Sequence, residues 1–236
     1  MRWQVALVAE LRDETDTART LALEVADWPG HLAGQHVDVR LSAPDGYTAV
    51  RPYSIASAPG ASRVEVTVEI DPDGEVSPYL TRDVSVGEEL EIRGPLGGWF
   101  VWRPAQTEPV QLIAGGSGLV PLMSMLRSRA SADNSTPFRL LYSVRRPEAM
   151  LYSADLRVAG ALDGVDVSYV YTREAPAGWP DPVGRVDAAR LAAVTWPPGE
   201  RPTTYICGPT AFVETVADLL LAAGHEARRI RTERFG

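Results

Sequence analysis

Residues 51–59 place three chemically distinct side chains along one short segment. The sequence Arg-Pro-Tyr-Ser-Ile-Ala-Ser-Ala-Pro carries the guanidinium of Arg51, the phenol of Tyr53 and the hydroxyl of Ser54, where the flanking residues are typical of a β-strand. An arginine is a forked, permanently charged donor to phosphate, a tyrosine ring offers area for stacking, and a hydroxyl both donates and accepts hydrogen bonds. Composition alone indicates only an irregular edge strand, because Pro52 cannot donate to a sheet ladder.

A glycine-rich turn occupies residues 112–121, with the sequence Leu-Ile-Ala-Gly-Gly-Ser-Gly-Leu-Val-Pro. Gly116 and Gly118 would let the backbone approach a diphosphate closely. The helix that follows, with Pro121 in its first turn, would supply free N–H groups and a partial positive charge. A Gly-x-Gly-x-x-Pro pattern taken alone also fits a purely structural turn. Its position after a buried strand and before an amphipathic helix favours nucleotide binding.

A second helix start is predicted within residues 73–80, Asp-Gly-Glu-Val-Ser-Pro-Tyr-Leu. Ser77 is the expected N-cap and Pro78 the first helical residue. One interpretation is a capped helix that bridges the opening of a barrel. The other is a second anion site, because a barrel has few other ways to present several free N–H groups to a phosphate.

The first hundred residues are predicted to form antiparallel β structure. Residues 63–70 alternate polar and apolar without a fault, which predicts one buried face and one face in water. Six short strands separated by turn signals favour a closed barrel or a sandwich. The other five predicted strands cover residues 5–10, 18–25, 36–41, 50–55 and 89–92.

Beyond residue 109 the pattern changes to buried strands that alternate with helices. This series predicts a mostly parallel sheet with helices on both faces. We therefore predict two domains, residues 1–104 and residues 105–236. The strands are expected at 110–114, 138–144, 165–171, 203–207 and 229–233, and the helices at 119–130, 153–161, 187–193 and 211–223.

Charge and composition exclude several classes of function. A formal net charge of −8 argues against general binding to nucleic acid or to an anionic membrane. The single cysteine, Cys207, excludes an internal disulfide, a cysteine-ligated zinc site and a ferredoxin-type iron–sulfur cluster. The three histidines are scattered and have no carboxylate cluster around them, so no metal site is predicted.

The chain is expected to be a globular, cytoplasmic protein and a monomer. No apolar run approaches the roughly 18 residues of a membrane-spanning helix. The first sixteen residues turn acidic where a signal peptide would continue apolar.

Seven short motifs, in one order and spacing along the chain, together resemble the ferredoxin–NADP reductase superfamily. The resemblance covers essentially the whole chain, although no single motif decides it. It implies an N-terminal antiparallel six-stranded β-barrel that binds flavin and a C-terminal Rossmann-like α/β domain that binds a nicotinamide nucleotide. The motifs are Arg51-Pro-Tyr-Ser54, Gly74-Glu-Val-Ser77, Gly94-Pro-Leu-Gly-Gly-Trp-Phe100, Gly115-Gly-Ser-Gly-Leu-Val-Pro121, Tyr142-Ser-Val-Arg145, Cys207-Gly-Pro-Thr210 and Glu233-Arg-Phe-Gly236.

The resemblance implies distinct roles for the side chains of the first motif. Arg51 would pair with the flavin nucleotide's phosphate, Tyr53 would pack on the isoalloxazine ring, and Ser54 would hydrogen-bond near its N5 atom. Alternation puts Arg51 and Tyr53 on one strand face, so Ser54 joins them only if the strand ends or twists there. Ser77 and its helix start would receive the diphosphate, which favours FAD over FMN. The other residues implied in flavin binding are Pro52, Gly74 and Val76.

The resemblance also implies a site for the nicotinamide nucleotide. Its diphosphate would lie on Gly116, Gly118 and Pro121. Cys207, followed by Gly208 and Pro209, would lie beside the nicotinamide where hydride passes. Cys207 ends a predicted parallel strand, where open α/β sheets place ligands. The alternative is a small buried residue at a strand end.

Three arginines bear on the choice between NADPH and NADH. The strand at residues 138–144 has no Asp or Glu at its end of the kind that usually reads the NADH ribose. In bacterial NADPH-using members of the family, arginines at points that match Arg145, Arg173 and Arg185 bind the 2′-phosphate. The resemblance therefore favours NADPH, and the alternative is that these are ordinary solvated arginines.

The end of the chain supplies the last implied site residue. Family members often finish with an aromatic residue that covers the second face of the flavin, and Phe235, followed by Gly236, is the candidate here. With Ser54 and Cys207 it completes the residues predicted to act at the hydride-transfer site.

The activity implied is that of an NAD(P)H-dependent, FAD-containing reductase. Electrons would pass to a protein acceptor such as a ferredoxin, a flavodoxin or an oxygenase component. An acidic acceptor would dock poorly on a chain of charge −8 unless arginines cluster near the flavin edge. The alternatives are a reductase of free flavin or ferric chelates, and a flavin-binding electron-transfer or regulatory subunit without turnover of its own.

Overall fold

The computed structural model describes residues 2–43 and 45–235, and its N-terminal part is an antiparallel six-stranded sheet. The spatial order is β4-β3-β6-β1-β2-β5. A bridge between Ile55, just after β4, and Val66 on β5 joins the two edges, so the sheet closes as a barrel. The strands are β1 (Gln4–Thr15), β2 (Ala18–Val25), β3 (His36–Ser42), β4 (Thr48–Ser54), β5 (Val64–Glu69) and β6 (Glu89–Leu96).

A short helical segment lies between β5 and β6. Helix α1 (Val76–Pro78) continues as a π-helical turn over Tyr79–Asp83. Val76 and Leu80 are buried, and both pack into the aliphatic core of the barrel. This segment is therefore fixed against the barrel by its buried apolar side chains.

The C-terminal part is a five-stranded parallel sheet in the order β11-β10-β7-β8-β9. Helices α2 and α3 cover the face that packs against the barrel, while α4 and α5 cover the other face. Together the two sheets confirm the predicted fold class. The elements are β7 (Val110–Gly115), α2 (Leu119–Ser131), β8 (Phe138–Val144), α3 (Ser153–Gly160), β9 (Val165–Tyr171), α4 (Ala188–Val194), β10 (Thr203–Pro209), α5 (Thr210–Ala222) and β11 (Ile230–Phe235).

Arg127 on α2 is the centre of the polar contacts between the two parts of the chain. Its guanidinium donates to the carbonyl of Ala56 at 3.0 Å and to the carboxylate of Glu65 at 2.8 Å. It also pairs with Asp155 on α3 and lies 5.1 Å from the ring centre of Tyr152. Ala56 lies two residues after Ser54, so the bond from Arg127 ties α2 to the backbone just beyond β4.

Tyr152 inserts between the two sheets and explains one departure from the predicted pattern. Its hydroxyl is hydrogen-bonded to Thr67 on β5, and Thr67 is bonded in turn to Thr20 at 2.6 Å. Alternation along β5 assigns Thr67 to the face in water, but the residue is buried. That prediction is wrong at Thr67 because the second domain covers this face of the barrel.

None of the helices in the described part of the chain has the length and apolar character needed to cross a membrane.

Candidate functional site

A cleft of about 400 Å³ lies where the barrel meets the parallel sheet, and we call it the central cleft. Its walls come from distant parts of the sequence. From the barrel, the end of β4 contributes Pro52, Tyr53 and Ser54, and from the sheet, β10 and β11 contribute Cys207, Glu233 and Phe235.

The end of β4 explains how adjacent residues face one cleft. The strand ends at Ser54, as required if Tyr53 and Ser54 are to act together. Tyr53 packs its ring against the barrel core, and burial raises the pKa of Tyr53 to about 12. The phenol is therefore protonated at neutral pH and presents an uncharged aromatic surface.

Glu233 contributes a carboxyl group to the central cleft. It lies on β11, and burial raises the pKa of Glu233 to about 7, while its interaction with the Ser54 hydroxyl opposes that rise. A carboxyl group with this pKa exchanges its proton at neutral pH. Glu233 belongs to the C-terminal motif Glu233-Arg-Phe-Gly236, for which a role was predicted only at Phe235. The signal was available, because residues two apart on a strand share a face and Phe235 was already assigned to the cleft.

Cys207 contributes an uncharged thiol to the same cleft. The side chain is only 1% exposed, and burial raises the pKa of Cys207 well above its usual range. The residue therefore remains a thiol rather than a thiolate at neutral pH. Its position fits a group that packs beside a ligand without adding charge.

Phe235 ends β11 and lies at the boundary between two clefts. Its backbone is in register with Pro209 at the end of β10, and the side chain is 39% exposed. It lines the central cleft together with Tyr53 and also lines a second cleft beside the glycine turn.

The second cleft, about 180 Å³ in volume, lies at the carboxyl ends of the parallel strands, and we call it the glycine cleft. Its lining includes Gly115, Gly116, Ser117, Arg145 and Pro209.

Two glycines are required by the geometry of this turn. Gly116 has φ +55°, in the left-handed region that favours glycine. A Cβ on Gly118 would lie 2.1 Å from the carbonyl oxygen of Cys207 and 2.6 Å from the nitrogen of Gly208. The turn is thus pressed directly onto the end of β10. Pro121 is buried in the first turn of α2 and does not line the glycine cleft.

The three arginines expected to read a 2′-phosphate follow β8 and β9. The N–H of Arg173 donates to the carbonyl of Arg145 at 3.0 Å, which brings their backbones together. The N–H of Gly184 donates to Tyr171 at 2.9 Å, which brings Arg185 to the same edge of the sheet. All three side chains are exposed, and Arg145 alone among them lines the glycine cleft.

The helix start after Gly74 differs from the prediction. Helix α1 begins at Val76, and Glu75 occupies the N-cap position without capping the helix, because its carboxylate accepts from the Tyr47 hydroxyl at 2.9 Å. The Oγ of Ser77 instead accepts from the N–H of Asp71 at 3.0 Å. The prediction that Ser77 caps the helix is therefore wrong, because its hydroxyl holds the preceding turn. Gly74 lies in that turn, where a Cβ would be 3.2 Å from the Ser77 hydroxyl.

Arg51 lies on β4 but does not line the central cleft. Its side chain is exposed, and it donates to the carbonyl of Val50 at 2.9 Å. The guanidinium is therefore held beside the strand by one neutral contact, free of a carboxylate partner among the described residues. Such a group keeps its charge available for a phosphate.

Both clefts fit the cofactors that the resemblance implies. The volume of the central cleft lies in the range of ligand pockets, and its walls combine aromatic rings, hydroxyl groups, a thiol and the carboxyl groups of Glu69 and Glu233. The glycine cleft is lined by Gly116 and Ser117, in the 3₁₀ turn that leads into α2, a helix of 13 residues whose N-cap Gly118 has no side-chain cap. First-turn N–H groups without a side-chain partner suit a diphosphate.

Comparisons with known proteins agree with this geometry. Residues 10–101 match the family model of the oxidoreductase FAD-binding domain, and residues 112–218 match that of the oxidoreductase NAD-binding domain. The class of protein is therefore a two-domain oxidoreductase that binds FAD and a nicotinamide nucleotide, which confirms the predicted cofactors. The chain belongs to the ferredoxin–NADP reductase superfamily.

Individual relatives match over most of this chain. The ferredoxin–NAD(P)⁺ reductase component of the naphthalene 1,2-dioxygenase/salicylate 5-hydroxylase systems of Ralstonia sp. is 30% identical, over 92% of this chain and 66% of its own length. The 2-halobenzoate 1,2-dioxygenase electron transfer component of Burkholderia cepacia is 32% identical, over 86% and 58%.

A solved structure agrees in fold over nearly the full length of both chains. The flavohem-like FAD/NAD-binding domain of nitric oxide dioxygenase from Vibrio cholerae O1 biovar El Tor has a TM-score of 0.86 at 26% identity, and covers 99% of this chain and 98% of that one. The two relatives above are longer, so this chain spans between about half and two thirds of their lengths.

Proposed function

We propose that this protein takes hydride from NADPH onto a bound FAD and passes the electrons to a protein acceptor, a ferredoxin or an oxygenase component. The observation that carries the proposal is the central cleft, where Ser54, Cys207, Glu233 and Phe235 meet beside the glycine turn. When bound, the flavin supplies the redox chemistry, accepting a hydride and releasing its electrons one at a time.

The residues of the barrel would hold the flavin. Tyr53 offers its protonated ring as a stacking surface, and the exposed guanidinium of Arg51 pairs with the phosphate. The turn at Gly74 and the N-terminal N–H groups of Val76 and Ser77 receive the diphosphate, which favours FAD. Pro52 completes the wall of the cleft.

The parallel sheet would hold the nicotinamide nucleotide. Gly116 and Gly118 bring the backbone and the start of α2 to the diphosphate, and Pro121 is buried in the first turn of that helix. Gly208 and Pro209 continue β10 beyond Cys207 along the same edge. This course carries the nicotinamide end of the nucleotide into the central cleft, because Ser117 and Phe235 line both clefts.

Ser54 and Glu233 would manage the proton that accompanies flavin reduction. The Ser54 hydroxyl can donate or accept, and the pKa of Glu233, at about 7, lets its carboxyl group deliver or take up a proton at neutral pH. Cys207 stays uncharged, so it adds no charge of its own beside Glu233. Phe235 would pack against the isoalloxazine ring of the flavin and restrict the access of water to it.

The preference for NADPH rests on Arg145, Arg173 and Arg185. Their side chains have no carboxylate partner among the described residues, so their charges are available to a 2′-phosphate dianion. Replacing Arg145 and Arg173 by glutamine should lower kcat/KM for NADPH about tenfold or more, with kcat/KM for NADH nearly unchanged. Arg157→Gln, on the exposed side of α3, is the matched control. An unchanged NADPH/NADH ratio would show that the arginines do not read the 2′-phosphate.

The nature of the acceptor is supported by the relatives, two of which are named as components of oxygenase systems. Purified FAD-loaded protein should oxidise NADPH fastest when a ferredoxin or an oxygenase component is present. Flavodoxin, free flavin and a ferric chelate serve as the comparison acceptors. Equal or faster rates with free flavin or the ferric chelate would contradict a protein acceptor. Failure to oxidise NADPH with every acceptor would instead indicate a subunit without turnover of its own.

A further inference from the structure

Glu69 is a carboxylate at the boundary between the two clefts. It is the last residue of β5 and is exposed. It lines the central cleft together with Ser54 and Cys207, and it lines the glycine cleft together with Gly116. In the part of the chain that the structure describes, the residues that line both clefts are Glu69, Ser117 and Phe235.

The Glu69 carboxylate lies near the glycine turn. Its Oε2 atom is 4.0 Å from the position that a Cβ on Gly116 would take. Among the described residues it has neither an ion pair nor a side-chain hydrogen bond. An exposed carboxylate that leaves its acceptor positions open at the mouth of a ligand cleft can bind hydrogen-bond donors on the ligand.

The course of a dinucleotide through the clefts decides which donors reach it. If the diphosphate lies at Gly116 and the nicotinamide ring lies near Cys207, the part of the molecule that passes the boundary is the ribose of the nicotinamide half. That sugar carries two hydroxyl groups, both of which donate hydrogen bonds. A carboxylate is a strong acceptor for them, and such charge-assisted bonds exceed neutral ones in strength.

We infer that Glu69 binds the hydroxyl groups of the nicotinamide-side ribose and so selects ligands that continue past the diphosphate. The inference rests on the proposed binding of a nicotinamide nucleotide and adds a specificity-determining residue to it. It also makes the barrel domain a direct part of the nucleotide site. Nucleotide binding then depends on the seating of the two domains against each other.

A competing effect of the Glu69 charge, repulsion of the diphosphate, would change the Kd in the opposite direction. A carboxylate close to a diphosphate repels it, so removing the charge would tighten binding of every ligand that carries a diphosphate. Hydrogen bonding to the ribose predicts weaker binding on removal of the charge, and only for ligands that contain that ribose. The direction of the change therefore separates the two effects.

The test uses FAD-loaded protein and three ligands of increasing size. ADP ends at the diphosphate, ADP-ribose adds the second ribose, and NADP⁺ adds the nicotinamide as well as the 2′-phosphate. Dissociation constants are measured by calorimetry for the wild type, for Glu69→Gln and for Glu69→Asp. Glu89→Gln, on the exposed side of β6, is the control for loss of one negative charge. Flavin content and thermal midpoint verify that each variant is folded.

The inference predicts that Glu69→Gln raises the Kd of ADP-ribose and of NADP⁺ about tenfold and leaves the Kd of ADP unchanged. Glu69→Asp should raise the same two constants, because the shorter side chain withdraws the carboxylate. Tighter binding of all three ligands, or weaker binding of NADP⁺ alone, would overturn the inference while leaving the proposed function intact. If the wild-type protein binds neither NADP⁺ nor ADP-ribose, the proposed function itself is overturned, and the inference with it.

Discussion

Replacing Gly118 by alanine tests how closely the nucleotide turn is pressed onto the sheet. The added methyl carbon would lie 2.1 Å from the carbonyl oxygen of Cys207, 2.3 Å from its carbonyl carbon and 2.6 Å from the nitrogen of Gly208. Ordinary contacts between such atoms are about 3.5 Å or longer. The turn and β10 would therefore have to separate by more than about 1 Å.

The expected cost is large because neither side of the contact can yield easily. The atoms met by the methyl group belong to the backbone of β10, which pairs with β7 on one side and β11 on the other. Overpacking in a core costs about 1–3 kcal/mol, and a contact between backbone segments belongs at the upper end. At about 2–4 °C per kcal/mol for a chain of this size, the thermal midpoint should fall by about 6–12 °C.

The assay compares Gly118→Ala with the wild type in thermal midpoint and in the Kd of NADP⁺. The affinity should fall at least about tenfold, since the turn that receives the diphosphate has moved. Gly199→Ala is the control, because a Cβ at Gly199 meets nothing within 4 Å and should change neither quantity. A midpoint within about 2 °C of the wild type together with an unchanged Kd would refute the packing argument.

Three further variants test separate contacts. The pKa of Glu233 is raised by burial to about 7, so the folded state holds this proton more tightly than the unfolded chain and stability is lost as pH rises through that value. The free energy of unfolding of Glu233→Gln, relative to that of the wild type, should therefore rise by at most about 3 kcal/mol between about pH 4 and pH 8, as measured by urea titration. A difference that does not change with pH would contradict the raised pKa of Glu233. Tyr152→Phe removes the hydrogen bond to Thr67 and should cost about 1 kcal/mol by the same method, whereas no loss would mean that the bond does not stabilise the domain contact. Phe235→Ala should change flavin fluorescence or nucleotide affinity, and if both keep wild-type values the residue does not cover the flavin.

The architecture was predictable because its signals are local. The alternation along residues 63–70 is typical of a barrel strand, and β5 forms there. The series of strands and helices after residue 109 predicted a parallel sheet, and the helix after the glycine turn was expected over 119–130 and is found at Leu119–Ser131. The hydrophobic periods of strands and helices, two and 3.6 residues, involve residues close together in the sequence. They can therefore be recognised without knowledge of the tertiary structure.

The errors and omissions arise where distant segments meet. Thr67 lies on the face that alternation leaves in water, but Tyr152 covers it from the other domain. Ser77 was expected to cap a helix, but its hydroxyl holds the turn at Asp71. Glu69 and Glu233 come from different domains and line the same cleft, a juxtaposition that no local pattern encodes. Side-chain partners of this kind follow from the packing of the two sheets.

The central claim is that the cleft between the two domains binds FAD in a position to be reduced by NADPH. The most direct measurement is an anaerobic titration of the purified, FAD-loaded protein with NADPH, followed through the visible absorbance of the flavin. The account predicts one FAD per chain and complete loss of that absorbance. A chain that does not bind added FAD, or that binds it and keeps its absorbance with both NADPH and NADH, would contradict the account.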